Sequence, residues 1–66
     1  MPKTLRELER ISKGEADFTA NERIKTGGWL RVVYDPALRC FAYYRDKGRG
    51  NYKLTRTEAE MLNAAQ

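Results

Sequence analysis

No histidine occurs in the chain, and Cys40 is its sole thiol. The first absence excludes a Ser-His-Asp triad and the histidine ligands of most zinc sites, and the second excludes an internal disulfide framework. No apolar run approaches the ~20 residues of a bilayer crossing, and the amino terminus lacks the long apolar core of a secretory signal. The expectation is a cytoplasmic chain with no membrane partner, in which Cys40 is a small buried hydrophobe of a reducing compartment. Length is scarce as well. The 66 residues read as one small domain, 1–66, which buries only about 60% of the surface its unfolded form exposes. Little interior is left for a catalytic cleft.

What is present should fold. Apolar residues make up 41% of the chain and aromatics 11%, well away from the aromatic-poor composition that stays disordered. Thirteen Lys and Arg stand against nine Asp and Glu, a formal charge of +4, and the excess is unevenly placed. Residues 1–28 carry six basic and five acidic side chains, whereas residues 29–56 carry seven basic and two acidic. A positive field confined to one segment raises the local density of polyanions, which points to nucleic acid or an acidic protein surface.

Three Thr-x-x-Glu spacings mark helix starts, because the Thr hydroxyl accepts from the backbone three residues on while the Glu reaches back. Thr4 with Glu7 opens a helix over 4–12 with Leu5, Leu8 and Ile11 on one side, Glu9 and Lys13 at a supportive spacing, and Gly14 as its stop. Thr19 with Glu22 predicts a short helix or turn over 19–26, ended by Gly27-Gly28. Thr55 with Glu58 opens a helix over 56–65 with Ala59 and Leu62 inward.

Between them, residues 29–34 and 39–45 are rich in aromatic and β-branched types and read as strands, joined by an Asp35-Pro36 turn. A loop from Asp46 to Gly50 leads to a third strand over 51–54. The predicted fold class is α+β, α-(α)-β-β-β-α, a three-stranded antiparallel meander packed with an amino-terminal and a carboxy-terminal helix. Parity then sorts the faces. Leu30, Val32, Tyr34, Leu38, Cys40, Ala42 and Tyr44 are uncharged and form the expected core face, continued by Tyr52 and Leu54. Trp29, Arg31, Val33, Arg39, Phe41, Tyr43 and Arg45 form the outward face. Keeping even residues opposite even ones across the turn requires a bulge, since a one-residue slip exchanges the faces.

The outward face and the glycine-containing loop are the candidate sites. Rings offer stacking platforms worth ~1–3 kcal/mol per base, and guanidinium groups meet phosphates. The expected contacts are Arg31, Arg39, Arg45, Lys47, Arg49, Lys53 and Arg56 to phosphates, with Tyr43 stacking and Trp29 and Phe41 as interface anchors. Gly48 and Gly50 let backbone N–H groups turn toward an anion in a mobile basic tip, with Arg39 and Arg56 flanking that end. The competing arrangement covers Trp29, Phe41 and Tyr43 with the amino-terminal helix and lays the arginine stems along the sheet. Glu7, Glu9, Glu15, Asp17 and Glu22 are absorbed mostly by caps and helix-face pairs, and Cys40 has no histidine to activate it.

The order strand, strand, strand, helix, carried by the Phe41 to Asp46 strand end and the Thr55 to Ala65 helix, resembles the small three-stranded DNA-binding domains at the amino terminus of phage-type integrases and in plant transcription factors. That resemblance covers residues 29–66 and implies a sheet that enters the major groove, backed by the helix. The functional expectation is a non-enzymatic nucleic-acid-binding module without cofactor or metal, with DNA favoured over RNA. The rival is a small protein-binding regulator or inhibitor, of the kind phages and mobile elements use to block a host enzyme or a defence nucleoprotein complex, with Trp29, Phe41 and Tyr43 as arginine-ringed anchors. A homodimer is open to either reading, since a small core gains from pairing.

Overall fold

A computed structural model describes residues 3–14 and 17–65. They form, in order, α1 (Leu5–Gly14), β1 (Thr19–Arg23), β2 (Trp29–Asp35), β3 (Cys40–Lys47), β4 (Gly50–Leu54) and α2 (Arg56–Ala64). The architecture is α+β, as expected, but the antiparallel sheet has four strands in the order β1-β2-β3-β4. Glu15 lies outside the described residues. No described helix is long and apolar enough to cross a membrane.

Two of the three Thr-x-x-Glu spacings cap helices. At α1 the Thr4 Oγ1 accepts from the Glu7 N–H at 3.2 Å while Glu7 accepts from the Thr4 N–H at 3.4 Å, and at α2 Thr55 and Glu58 form the same reciprocal pair. Both helices pack on one side of the sheet, α1 across β1 and β2, α2 on β3 and β4. Leu5 and Leu8 of α1 meet Ala20, Ile24, Leu30, Val32 and Tyr43, and Ala59 enters from α2. Leu8, Leu30 and Val32 are wholly inaccessible, each contributing about 1.5–3 kcal/mol by leaving water. Asn63 of α2 ties the chain ends together. Its Oδ1 accepts from the Leu5 N–H at 3.0 Å and its Nδ2 donates to the Lys3 carbonyl at 2.9 Å, so α2 satisfies a backbone donor that the start of α1 leaves orphaned.

Of the predicted helix or turn over 19–26, Thr19–Arg23 is instead strand β1, and only the residues after it lie in a turn. With Ile24 as its only strong apolar anchor, the segment has no stripe to bury as a helix, whereas alternation places Ala20 inward and leaves Asn21 and Arg23 exposed. The Thr19 hydroxyl donates back to the Asp17 carbonyl at 3.1 Å rather than capping a helix. Gly27 and Gly28 have φ of +120° and +84°, the positive values a hairpin turn needs, so they reverse the chain into β2 instead of ending a helix.

The β2–β3 ladder corrects the predicted faces. Its register pairs Asp35 with Cys40, Tyr34 with Phe41, Val32 with Tyr43 and Leu30 with Arg45. Residues 36–39 close the turn, with Asp35 Oδ1 accepting from the N–H groups of Ala37 at 2.9 Å and Leu38 at 3.2 Å and Arg39 taking a left-handed φ of 53°. An even loop pairs odd residues with even ones, so β2 keeps its predicted faces while those of β3 exchange. Phe41, Tyr43 and Arg45 therefore face the helices. Cys40, Ala42 and Tyr44 face away from them, Cys40 is exposed rather than buried, and Leu38 is 73% exposed on the turn.

Candidate nucleic-acid interface

The face of the sheet opposite the helices is covered by no other described element, and its composition follows from the registers. Across the four strands, Asn21, Arg31, Tyr44 and Lys53 form one row, and Arg23, Trp29, Asp46 and Asn51 form the next. Thr19, Val33 and Ala42 form a third, apolar toward its centre. None of the residues in these rows is buried, and Trp29 is 44% exposed.

Cations and rings alternate on this surface. The Arg23 guanidinium lies 5.5 Å from the Trp29 ring centre, and that of Arg31 lies 5.5 Å from the Tyr44 ring centre. Asp46 is the one acid in the three rows, and it meets Arg31 Nη2 at 3.4 Å. That ion pair is long and half-exposed, worth about 0–1 kcal/mol. Arg31 Nε is buried without a hydrogen-bond partner among the described residues.

The sequence-predicted residues divide into groups. Trp29, Arg31 and Lys53 share the open face. Arg49 is exposed beside the end of it that carries Trp29, whereas Lys47 projects to the helix side with Tyr43 and Arg45, its side chain along Gly27, and pairs with Gly50. The turn between them is only Gly48-Arg49, with Gly48 at φ 58° as the first position of a type II′ turn demands, in place of the longer loop expected from Asp46 to Gly50. Arg39 is exposed at the opposite end of β3, which is eight residues long. Arg39 and Arg56 therefore flank the other end of the sheet from the tip, contrary to expectation.

Four predicted contacts are occupied elsewhere. Arg45 faces the helix side, where its Nη2 donates to Thr26 Oγ1 at 3.3 Å and to the Gly27 carbonyl at 3.2 Å, clamping the β1–β2 turn. Phe41 packs against the core between Tyr34 and Tyr43, its ring centre 5.0 Å and 6.5 Å from theirs. Tyr43 is 6% exposed, and its hydroxyl donates to Glu9. Glu9 does not pair with Lys13, whose ammonium lies over the Tyr34 ring. It accepts instead from Tyr43 and from both Nε and Nη2 of Arg56 at 3.2 Å, while Arg56 also pairs with Glu60.

This cluster sets the protonation of its members. Burial and the bond to Glu9 push the Tyr43 phenol up to about 12. Burial alone would raise the Glu9 carboxyl, but the bonds from Arg56 and Tyr43 and the charges of Arg56 and Arg6 outweigh it and hold the carboxyl below its usual value. Arg56 is held more firmly protonated by Glu9 and then Glu60. The role of the cluster is to join α1, β3 and α2.

Tyr44, Asn21 and Arg23 belong to the open face without having been among the expected contacts. Even-numbered parity puts Tyr44 on the wrong side, and the Thr19 spacing hides the β1 pair. The signal for β1 was Gly27-Gly28 between two alternating stretches, the hairpin pattern. Comparison with protein-family models, curated proteins and solved structures gives no match to this chain.

Proposed function

We propose that the protein is a non-enzymatic nucleic-acid-binding module whose ligand lies across the open face of the sheet. The observation that carries this reading is the adjacency of the Asn21-Arg31-Tyr44-Lys53 row to Trp29 on a face that neither helix covers. Arg31 and Lys53 meet phosphates on the sheet, and Arg49 extends the contact at the hairpin tip. With Arg23 these make four cations against Asp46. A field of that sign both attracts a polyanion and makes its binding salt-dependent.

The test is a triple variant, Arg31→Gln, Arg49→Gln and Lys53→Gln, titrated with labelled oligonucleotides over a salt series. Each lost phosphate contact lowers the slope of log affinity against log salt by about 0.7–0.9. The variant should therefore lose about two to three units of slope and bind weakly at low salt, with an unchanged circular-dichroism spectrum. Equal affinity and equal slope in the variant and the parent chain would refute the assignment.

A second reading has its own observation. An apolar groove between β4 and α2 is lined by Leu54, Met61 and Leu62, with Arg45 at its side, and Met61 is 69% exposed beside it. This supports a protein-binding regulator. A contact centred on that groove would change little with salt, whereas nucleic-acid binding weakens steeply.

A further inference from the structure

We infer that the ligand of the open face is an unpaired DNA strand, with successive bases stacked on Trp29 and Tyr44. This rests on the nucleic-acid reading above and narrows it. Trp29 stands opposite Asp46, and Tyr44 is two residues before Asp46 on the same strand, so the two rings are diagonal neighbours. The backbone positions of such neighbours stand ~7–8 Å apart, about twice the 3.4 Å rise per nucleotide of a duplex strand. The spacing suits an extended strand whose bases have separated, and it does not suit a stacked duplex.

Width argues the same way. Four strands at a spacing of ~4.8 Å span about 14 Å between the outer strand axes, more than the ~12 Å major groove admits. Arg31 and Tyr44 are half-buried, with the guanidinium over the ring, so they lie along the sheet rather than project from it. In a duplex only base edges are accessible, and a flat face of this kind reaches phosphates alone. In an unpaired strand the base faces become available to the rings, while Arg31 and Lys53, on either side of Tyr44 in its row, meet the flanking phosphates. Val33 and Ala42, the pair next to Arg31 and Tyr44, give an apolar floor that suits deoxyribose and the thymine methyl better than a ribose hydroxyl.

Trp29 is the protein's only tryptophan, so its emission reports on one ring of the pair. The full chain is titrated with a short thymidine oligomer, a hairpin duplex of the same charge, and the matching uridine oligomer, following anisotropy of the labelled strand together with Trp29 emission. The thymidine oligomer should bind about tenfold more tightly than the duplex and quench Trp29, as base–aromatic stacking does. Trp29→Leu and Tyr44→Leu should each weaken thymidine-oligomer binding by about tenfold and leave duplex binding within about twofold. Equal binding of duplex and single strand, unquenched emission from Trp29 in the bound parent chain, or uridine binding as tight as thymidine would overturn the inference while leaving the broader reading standing. Failure of all three ligands to bind at low salt would remove both. The quenching measurement uses the parent chain, so it decides the matter even where a leucine variant fails to fold.

Discussion

Replacing Gly28 by alanine is expected to unfold most of the protein at room temperature. Gly28 sits at φ +84°, and a Cβ built there falls 2.2 Å from the Asp46 carbonyl oxygen and 3.0 Å from Lys47 Cβ. The left-handed backbone costs about 1–2 kcal/mol with any Cβ, and overpacking against a fixed neighbour costs about 1–3 kcal/mol more. A core of this size supplies a total stability of only about 3–5 kcal/mol, so the two terms together rival the whole. Gly14 is the control, since nothing lies within 4 Å of a Cβ at that position. Thermal melts followed by circular dichroism should show a cooperative transition for Gly14→Ala and little or none for Gly28→Ala. A Gly28→Ala melt that superimposes on the parent would mean that the β1–β2 turn does not abut β3 as described.

Glu9→Ala should be the most damaging substitution at a polar position. It leaves the Tyr43 hydroxyl buried without its acceptor, a loss of about 1–3 kcal/mol, which for a domain this small lowers the melting temperature by about 4–8 °C per kcal/mol. Tyr43→Phe removes the same hydrogen bond without orphaning a hydroxyl and should cost less. The pH dependence separates the two partners. Tyr43 is raised from 10.0 to about 12 in the folded state, so its contribution is complete below pH 10 and is lost as pH rises from 10 toward 12. Glu9 is lowered from 4.5, so its contribution is present above pH 4.5 and is lost as pH falls through the folded value. The stability gap between the parent and Tyr43→Phe should therefore narrow above pH 10, and the gap between the parent and Glu9→Gln should narrow below pH 4.5. Gaps that stay constant across both windows would show that the cluster does not form in solution.

The parts of the fold that were legible in the sequence are those fixed by local chemistry. Thr4 with Glu7 and Thr55 with Glu58 marked helix starts correctly because a capping box is complete within four residues. Leu30 and Val32 were placed in the core correctly because alternation along one strand needs no knowledge of its partner. The failures came where a choice depended on something distant. The Thr19–Glu22 spacing satisfies the same local rule as the other two, but β2 offers that stretch backbone partners and a place for Ala20, and no helical stripe competes with them. Parity of β3 depended on the number of residues in one turn, which the Asp35 side chain and the left-handed Arg39 fix at an even value. Phe41, Tyr43 and Arg45 changed sides on that single count. For the candidate site, Trp29, Arg31 and Lys53 were legible from charge and strand alternation, whereas Tyr44, Asn21 and Arg23 required the true register. Arg56 and Arg45 read as free cations in the sequence because their partners, Glu9 and the Gly27 carbonyl, lie 47 and 18 residues away.

The open sheet face as the binding surface is tested most directly by backbone amide chemical-shift mapping of the isotopically labelled chain during titration with an unlabelled thymidine oligomer. The largest shifts are predicted at Asn21, Arg31, Tyr44 and Lys53, together with the Trp29 indole N–H, while Met61 and Leu62 of α2 stay in place. Shifts concentrated at Met61, Leu62 and Tyr52, or spread evenly over the cations of α1, would contradict it.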